Sequence, residues 1–221
     1  TTARDCTGRH AMNLDKLLCP GTVAVIGASR TPGKVGREIV KNLQDGGFAG
    51  TIVPVNPSAD EIMGIPCFPS LKAFGKPIDL AVIAVPTPAV RPALDAALDA
   101  HAGAVCVITA GFKEVGAEGA KLEKEIAQLC ASRNAHMLGP NCLGLINTQH
   151  CMNASFAAQM PRPGSISVIS QSGALCTAIL DWAASRQIGL SKLVSMGNKA
   201  DLDESDFVTA LAEDEHTHVI V

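Results

Sequence analysis

Five short apolar runs punctuate the first part of the chain: Thr22–Ile26, Thr51–Val55, and residues 79–85, 104–109 and 135–138. Val, Ile and Ala follow one another in these runs without polar alternation, the pattern of strands covered on both faces in a parallel sheet. Helical signals fill the gaps. Residues 113–133 place Leu122, Ile126, Leu129 and Cys130 on one face and Lys and Glu on the other. Pro88 opens a second helix, from Ala89 towards His101, and Gly103 follows its end. Strand–helix alternation of this kind predicts an α/β fold, a Rossmann-type doubly wound parallel sheet over residues 12–150.

A second unit begins near Pro161-Arg162-Pro163-Gly164. Residues 165–170 read as a strand, 173–186 as a helix and Leu190–Ser195 as a strand. A helix near Glu204–Ala212 and a strand over 217–221 follow. Residues 161–221 are therefore expected to be the start of a second α/β domain, incomplete where the chain stops.

Composition narrows the class. The chain has 221 residues, 47% hydrophobic and 18% charged, enough for a sizeable core and too apolar for wholesale disorder. A net charge of -3 argues against nucleic acid or an anionic membrane as the main partner, while leaving room for a local basic pocket. Eight cysteines, at 6, 19, 67, 106, 130, 142, 151 and 176, form no C-x-x-C pair, and several sit inside apolar runs. They read as free core thiols of a reducing cytosol rather than metal ligands or disulfides. No apolar stretch approaches the ~20 residues of a membrane helix. Residues 1–11 are polar and lack the core of a signal peptide, and Met12 is a candidate native start. A cytoplasmic protein is expected.

The first strand runs into Gly27-Ala-Ser29-Arg30-Thr-Pro-Gly33-Lys34-Val35-Gly36 and then a helix. Glycines at a strand-to-helix turn let the backbone approach an anion, which the N–H groups at the helix start hold. A dinucleotide fingerprint requires G-x-G-x-x-G and an acid at the end of the second strand. Here only Gly33-x-x-Gly36 is present and that strand ends in Asn56-Pro57. A P-loop requires G-x-x-x-x-G-K-[ST]; this loop is one residue too long, and Val35 stands where the Mg²⁺-binding hydroxyl belongs. The remaining reading is a longer loop for a different phosphorylated ligand, with Lys34 either a phosphate contact or a solvated lysine.

Val23-Ala-Val-Ile-Gly-Ala-Ser29, Val55-Asn-Pro57, Ala84-Val-Pro-Thr-Pro88, Ile108-Thr-Ala-Gly-Phe112 and Gly139-Pro-Asn-Cys142 come in an order that resembles the CoA-binding domain of NDP-forming acyl-CoA synthetases. The chain is also similar, more distantly, to the α subunit of succinyl-CoA synthetase, whose second domain is flavodoxin-like. The resemblance spans nearly all of residues 14–221. It implies that Gly33, Lys34, Val35 and Gly36 hold a CoA phosphate. It further implies that Val85, Pro86, Thr87, Ile108, Thr109 and Ala110 line the coenzyme beside Asn141 and Cys142. Gly27, Ser29, Arg30, Asn56 and Pro57 complete the candidate site, at the carboxyl strand ends where ligands of open α/β sheets collect. Taken alone, Pro86 and Pro88 are ordinary loop punctuation. One departure matters: relatives place a lysine shortly after the second strand, and Pro57-Ser58-Ala59-Asp60 offers no cation. Either Arg30 or Lys34 compensates, or CoA affinity falls.

A second strand–turn–helix, Ile169-Ser170-Gln171-Ser172-Gly173-Ala174, sets small hydroxyl residues at a helix start. That is a good phosphate seat; taken bare, it is a Ser N-cap worth ~1 kcal/mol. It resembles the family's Ser-x-Ser-Gly turn, which implies phosphate binding by Gln171, Ser172 and Gly173. A hydrolase elbow requires G-x-S-x-G, but Ser170 and Ala174 replace its glycines.

Other candidates read as structural. His216 and His218 alternate at the edge of the last strand with no third metal ligand at suitable spacing. Asp201, Asp203, Glu204 and Asp206 complement a helix dipole. Trp182 reads as core or interface packing. The resemblance implies a ligase in which phosphate attacks acyl-CoA, and the phosphoryl group passes through a histidine to ADP or GDP. That histidine lies in a later loop, and nucleotide with Mg²⁺ belongs to an ATP-grasp domain or subunit, so a homo- or hetero-oligomer is expected. The alternatives are the acyl-CoA-sensing region of a protein lysine acetyltransferase and a nicotinamide-binding Rossmann module.

Overall fold

The structure, a computed structural model, describes residues 14–221. The expectations for the polar start, the Met12 start and Cys6 lie outside the described residues.

A short helix α1 (Asp15–Leu18) leads into β1 (Thr22–Ile26), α2 (Val35–Asp45) and β2 (Thr51–Val55). A small hairpin, β3 (Glu61–Ile62) and β4 (Ile65–Pro66), and a single turn α3 (Leu71–Phe74) precede β5 (Leu80–Ile83). Then follow α4 (Val90–Asp99), β6 (Ala104–Val107), α5 (Ala117–Ser132) and β7 (His136–Leu138). The first sheet has the order β2-β1-β5-β6-β7, and all its pairings are parallel. The doubly wound fold is as the sequence predicts. β5 and β6 are buried along their whole length, which explains their unbroken apolar runs. Pro54 is tolerated because β2 is an edge strand.

The runs 79–85 and 104–109 overshoot their strands by two residues, and those residues become loops at the strand ends. The single helix expected over 113–133 is instead a 3₁₀ turn, Lys113–Val115, followed by α5. Gly116, at φ 121°, turns the chain between them.

The second sheet holds β8 (Gly144–Asn147), β9 (Met152–Ser155), β10 (Pro163–Ser170), β11 (Leu190–Ser195) and β12 (Val219–Ile220) in the order β12-β10-β11-β8-β9. Helices α6 (Gly173–Ser185) and α7 (Glu204–Ala212) connect its parallel strands. The division expected near residues 150 and 161 leaves 144–155 outside the second unit. Strand pairing sets these residues in the second sheet, because β8 runs antiparallel to β11 with Ser195 opposite Gly144. The β8–β9 hairpin escaped the sequence pattern because its buried strands carry Asn147, Asn153 and Ser155.

Helix α2 lies between the two sheets. Its Ile39 and Leu43 belong to one buried cluster with Val23 and Val25 of the first sheet and with Leu145, Met152, Ala154 and Val194 of the second. Asn42, only 6% exposed, donates from Nδ2 to the carbonyls of Ser155 at 2.9 Å and Ala157 at 2.7 Å. Replacing Asn42 with Ala strips both carbonyls of their donor, a loss of about 1–3 kcal/mol. Urea unfolding of Asn42→Ala is expected to show a lower midpoint at unchanged slope; an unshifted midpoint would contradict the bridging role.

Candidate functional site

The strand order of the first sheet reverses at β1, so the loops after β1 and β5 open a crevice at their carboxyl ends. Two glycines let those loops close up. Gly27 has φ 92°, and a Cβ there would lie 2.5 Å from the Ala84 carbonyl oxygen. A Cβ on Gly36 would lie 2.0 Å from the Gly27 carbonyl oxygen, so the first turn of α2 sits directly on the β1 loop. Side-chain bonds brace the neighbouring loops: Thr109 Oγ1 donates to Val85 O at 2.7 Å, and Thr87 Oγ1 to Ala110 O at 2.9 Å. Asn56 Nδ2 donates to Ala28 O at 2.7 Å, fixing the loop after β2 against the loop after β1.

A cleft of about 700 Å³ lies above these loops. Val35, Val85, Ile108, Thr109, Ala110, Asn141, Cys142, Gln171 and Gly173, all singled out in the sequence, line it together. A smaller cavity of about 280 Å³ takes Gly27, Asn56 and Pro57, and shares Val85 with the first. Ser29, Arg30, Gly33, Lys34, Gly36, Pro86, Thr87 and Ser172 line neither space. Several of them shape the surrounding loops. Ser29 Oγ accepts from Thr31 N at 3.1 Å, Gly33 N donates to Glu38 Oε1 at 3.0 Å, and Lys34 is the N-cap of α2.

Sequence reasoning missed Ala84, Leu143, Phe156, Ala174 and Thr177 on the main wall. It also missed Pro69, Ser70, Leu71, Pro92, Ala93 and Ala96 around the smaller cavity. Thr177 was within reach, since it lies one turn after Gly173 on the same helix face and three positions after Ala174, the residue next to Gly173. Phe156 follows the unforeseen hairpin and had no signal.

Two helix starts meet at the cleft, one from each sheet, with Val35 of α2 and Gly173 and Ala174 of α6 on its walls. At α6 the Ser172 hydroxyl accepts from Leu175 N at 3.2 Å, while Ser172 N donates to Ser170 Oγ at 3.1 Å. Ser172 is thus an N-cap, and the amides of Gly173 and Ala174 are the first-turn donors on the cleft wall. Gln171 Nε2 donates to Glu204 Oε1 at 2.9 Å. Glu204 is held below the ordinary carboxylate range, chiefly by its bond from Lys199. Cys142 Sγ lies 3.7 Å from Cys106 Sγ, and that contact together with burial pushes the Cys106 thiol well up.

A clasp joins the two units behind the cleft. Asn141, at φ 59°, donates from Nδ2 to Asn198 Oδ1 at 3.2 Å. Asn198 Nδ2 donates to Glu114 Oε2 at 2.7 Å and Glu123 Oε2 at 2.8 Å. The amides of Gly111 and Phe112 donate to Glu114 Oε1 at 2.6 and 3.1 Å. Burial alone would raise the Glu114 carboxyl, but these donors outweigh it and hold it at about 2.

The other candidates divide. Asp203 caps α7 with a capping box, and Glu204 and Asp206 lie in its first turn, as the acidic cluster suggested. Asp201 instead accepts from Met137 N at 2.7 Å. His216 and His218 precede β12 rather than alternating along it. Trp182 is 56% exposed and so is not core. Cys67, Cys106, Cys130, Cys142 and Cys176 are buried free thiols, but Cys19 and Cys151 are exposed. No helix among the described residues is long and apolar enough to cross a membrane.

Fold and cleft together define a two-unit α/β protein with a strand-end cleft shared between its units. The chain belongs to the CoA binding domain family, which matches residues 21–148. The succinyl-CoA ligase like flavodoxin domain matches residues 163–221. The chain is 47% identical over 208 residues to acetate–CoA ligase (ADP-forming) I of Archaeoglobus fulgidus, covering 94% of this chain and 30% of that protein. It is 39% identical to acetate–CoA ligase (ADP-forming) I subunit alpha of Pyrococcus furiosus, covering 95% of this chain and 46% of the subunit. Among solved structures, a dinucleotide-forming acetyl-coenzyme A synthetase 1 of Ca. Korarchaeum cryptofilum, in complex with phosphate and ADP, is 40% identical with a TM-score of 0.91. That match covers 94% of this chain and 44% of the synthetase chain. The chain thus spans less than half the length of these relatives.

The clasp makes a pH prediction. Because Glu114 titrates at about 2 when folded, against an ordinary 4.5, its contribution is fully present above 4.5 and fades as pH falls towards 2. Urea midpoints measured between pH 7 and pH 2.5 should drop less steeply in Glu114→Gln than in the native chain; parallel curves would contradict the assignment.

Proposed function

We propose that this chain is the coenzyme-A-binding portion of an NDP-forming acyl-CoA synthetase. One observation carries the reading: helix starts from two different sheets face a single cleft. A ligand with a phosphorylated nucleotide at one end and a thioester at the other fits that arrangement. Its diphosphate sits at the first turn of α2, where unsatisfied N–H groups, the helix dipole and Lys34 favour negative charge. Its pantetheine arm follows Val85 and residues 108–110 towards the first turn of α6.

There the Gly173 and Ala174 amides and Gln171 hold inorganic phosphate beside the thioester. A phosphate oxygen attacks the thioester carbonyl, the C–S bond breaks, and CoA leaves as a thiol once it takes up a proton. The acyl phosphate then passes its phosphoryl group to a histidine, releasing the acid as its carboxylate. The phosphohistidine hands the group to a nucleoside diphosphate, making the triphosphate and freeing the histidine. In this reading the histidine, the Mg²⁺-bound nucleotide and the acid pocket belong to the remainder of the synthetase, including an ATP-grasp domain that is fused or a separate subunit. The buried free thiols suit a reducing compartment such as the cytoplasm.

Calorimetric titration with CoA, and with NADH for comparison, tests the proposal. Saturable CoA binding with no response to NADH is expected. Clear NADH binding without CoA binding would return the chain to the nicotinamide-binding Rossmann proteins.

A further inference from the structure

In doubly wound nucleotide sites the diphosphate lies at the helix start after the first strand, and the end of the second strand addresses the ribose. A ribose phosphate there needs a cation. The second-strand loop of this chain, Asn56-Pro57-Ser58-Ala59-Asp60, contains none. The cation arrives from the neighbouring loop instead: Arg30 Nη2 donates to Ser58 O at 3.1 Å. Burial pushes the nearby Cys67 thiol up, and the charge of Arg30 works against that rise while the charge of Asp60 adds to it. Asn56 and Pro57, which directly precede Ser58 in the chain, line the smaller cavity. The strand end carries an amide, Asn56, where a carboxylate would repel a phosphate, and that amide is spent on Ala28 O and on Ser58 N.

We infer that Arg30 reads the 3′-phosphate of the coenzyme and is the residue that distinguishes CoA from its 3′-dephospho form. The inference rests on the CoA-binding reading. One Nη2 hydrogen bond goes to Ser58 O and holds the arm in place; the other N–H groups of the planar fork remain to receive phosphate oxygens. Lys34, the N-cap of α2, serves the 5′-diphosphate instead. The two cations therefore have separable effects.

The experiment is calorimetry of the full chain and of Arg30→Ala, Arg30→Lys and Lys34→Ala with CoA, 3′-dephospho-CoA and NADPH. The native chain is expected to prefer CoA over 3′-dephospho-CoA by roughly 10- to 100-fold, the scale of a charge-assisted pair. Arg30→Ala should abolish the preference, weakening CoA far more than 3′-dephospho-CoA. Arg30→Lys should keep part of it, since the charge survives and the fork does not. Lys34→Ala should weaken both coenzymes alike. A preference that survives Arg30→Ala, or an Arg30→Ala loss equal for both coenzymes, overturns the inference. CoA binding by the native chain without 3′-phosphate preference overturns it while leaving the CoA-binding reading standing. No CoA binding at all, or binding of NADPH alone, removes both.

Discussion

Both walls of the cleft depend on the docking of α2. This helix belongs to the first sheet by connection, yet its apolar face packs into a core that includes the β8–β9 hairpin and β11 of the second sheet. Ile39, Val40 and Leu43 are fully buried, each worth about 1.5–3 kcal/mol by the area removed from water. Asn42 converts that non-directional attraction into a fixed register by bonding the backbone carbonyl of the last residue of β9 and another just past it. With α2 held there, its N-terminal turn opens on the same space as the N-terminal turn of α6. Undocked, each helix start would be a solitary anion seat facing solvent.

The site so formed relies on backbone more than on charged side chains. Among the described residues its main wall carries apolar side chains, Thr109, Thr177, Asn141 and Gln171, with no Lys, Arg, Asp or Glu. Anion binding at such a wall comes from helix-start amides, which are fixed before the ligand arrives and need no rearrangement. Close approach of the loops is secured by Gly27 and Gly36, where any Cβ would strike backbone. Rigidity comes from the clasp in which Asn198 bridges Asn141 to Glu114 and Glu123. The charges stand outside the wall: Arg30 and Lys34 in the loop between β1 and α2, and the Lys199–Glu204 pair beside Gln171.

Most of the fold was legible in the sequence because its strands are buried on both faces. Residues 23–26 and Leu80–Ile83 have no choice but to be apolar, and periodicity reports them directly. The loops of the site were legible for a different reason: their order resembles a known family, and the structure draws nine of those residues onto one cleft wall. What stayed hidden was the joint between the units. The hairpin strands bury Asn147, which donates to the distant Leu18 carbonyl and accepts from Gln149 N, and Asn153, whose Oδ1 accepts from the Ser155 hydroxyl; hydropathy counts such residues as exposed. Because Phe156 and the Asn42 bridge depend on that hairpin, neither could be foreseen. Arg30 shows a third case: its type is visible in the sequence, but only the fold reveals that it crosses to Ser58.

The central claim is that one ligand spans both helix starts. A crystal structure of the chain grown with CoA and inorganic phosphate tests it most directly. The account predicts the diphosphate at the first turn of α2, the pantetheine arm along Val85 and Thr109, and the sulfur beside a phosphate at Gly173 and Ala174. A coenzyme whose pantetheine arm turns away from α6, or whose diphosphate lies off the start of α2, would contradict it.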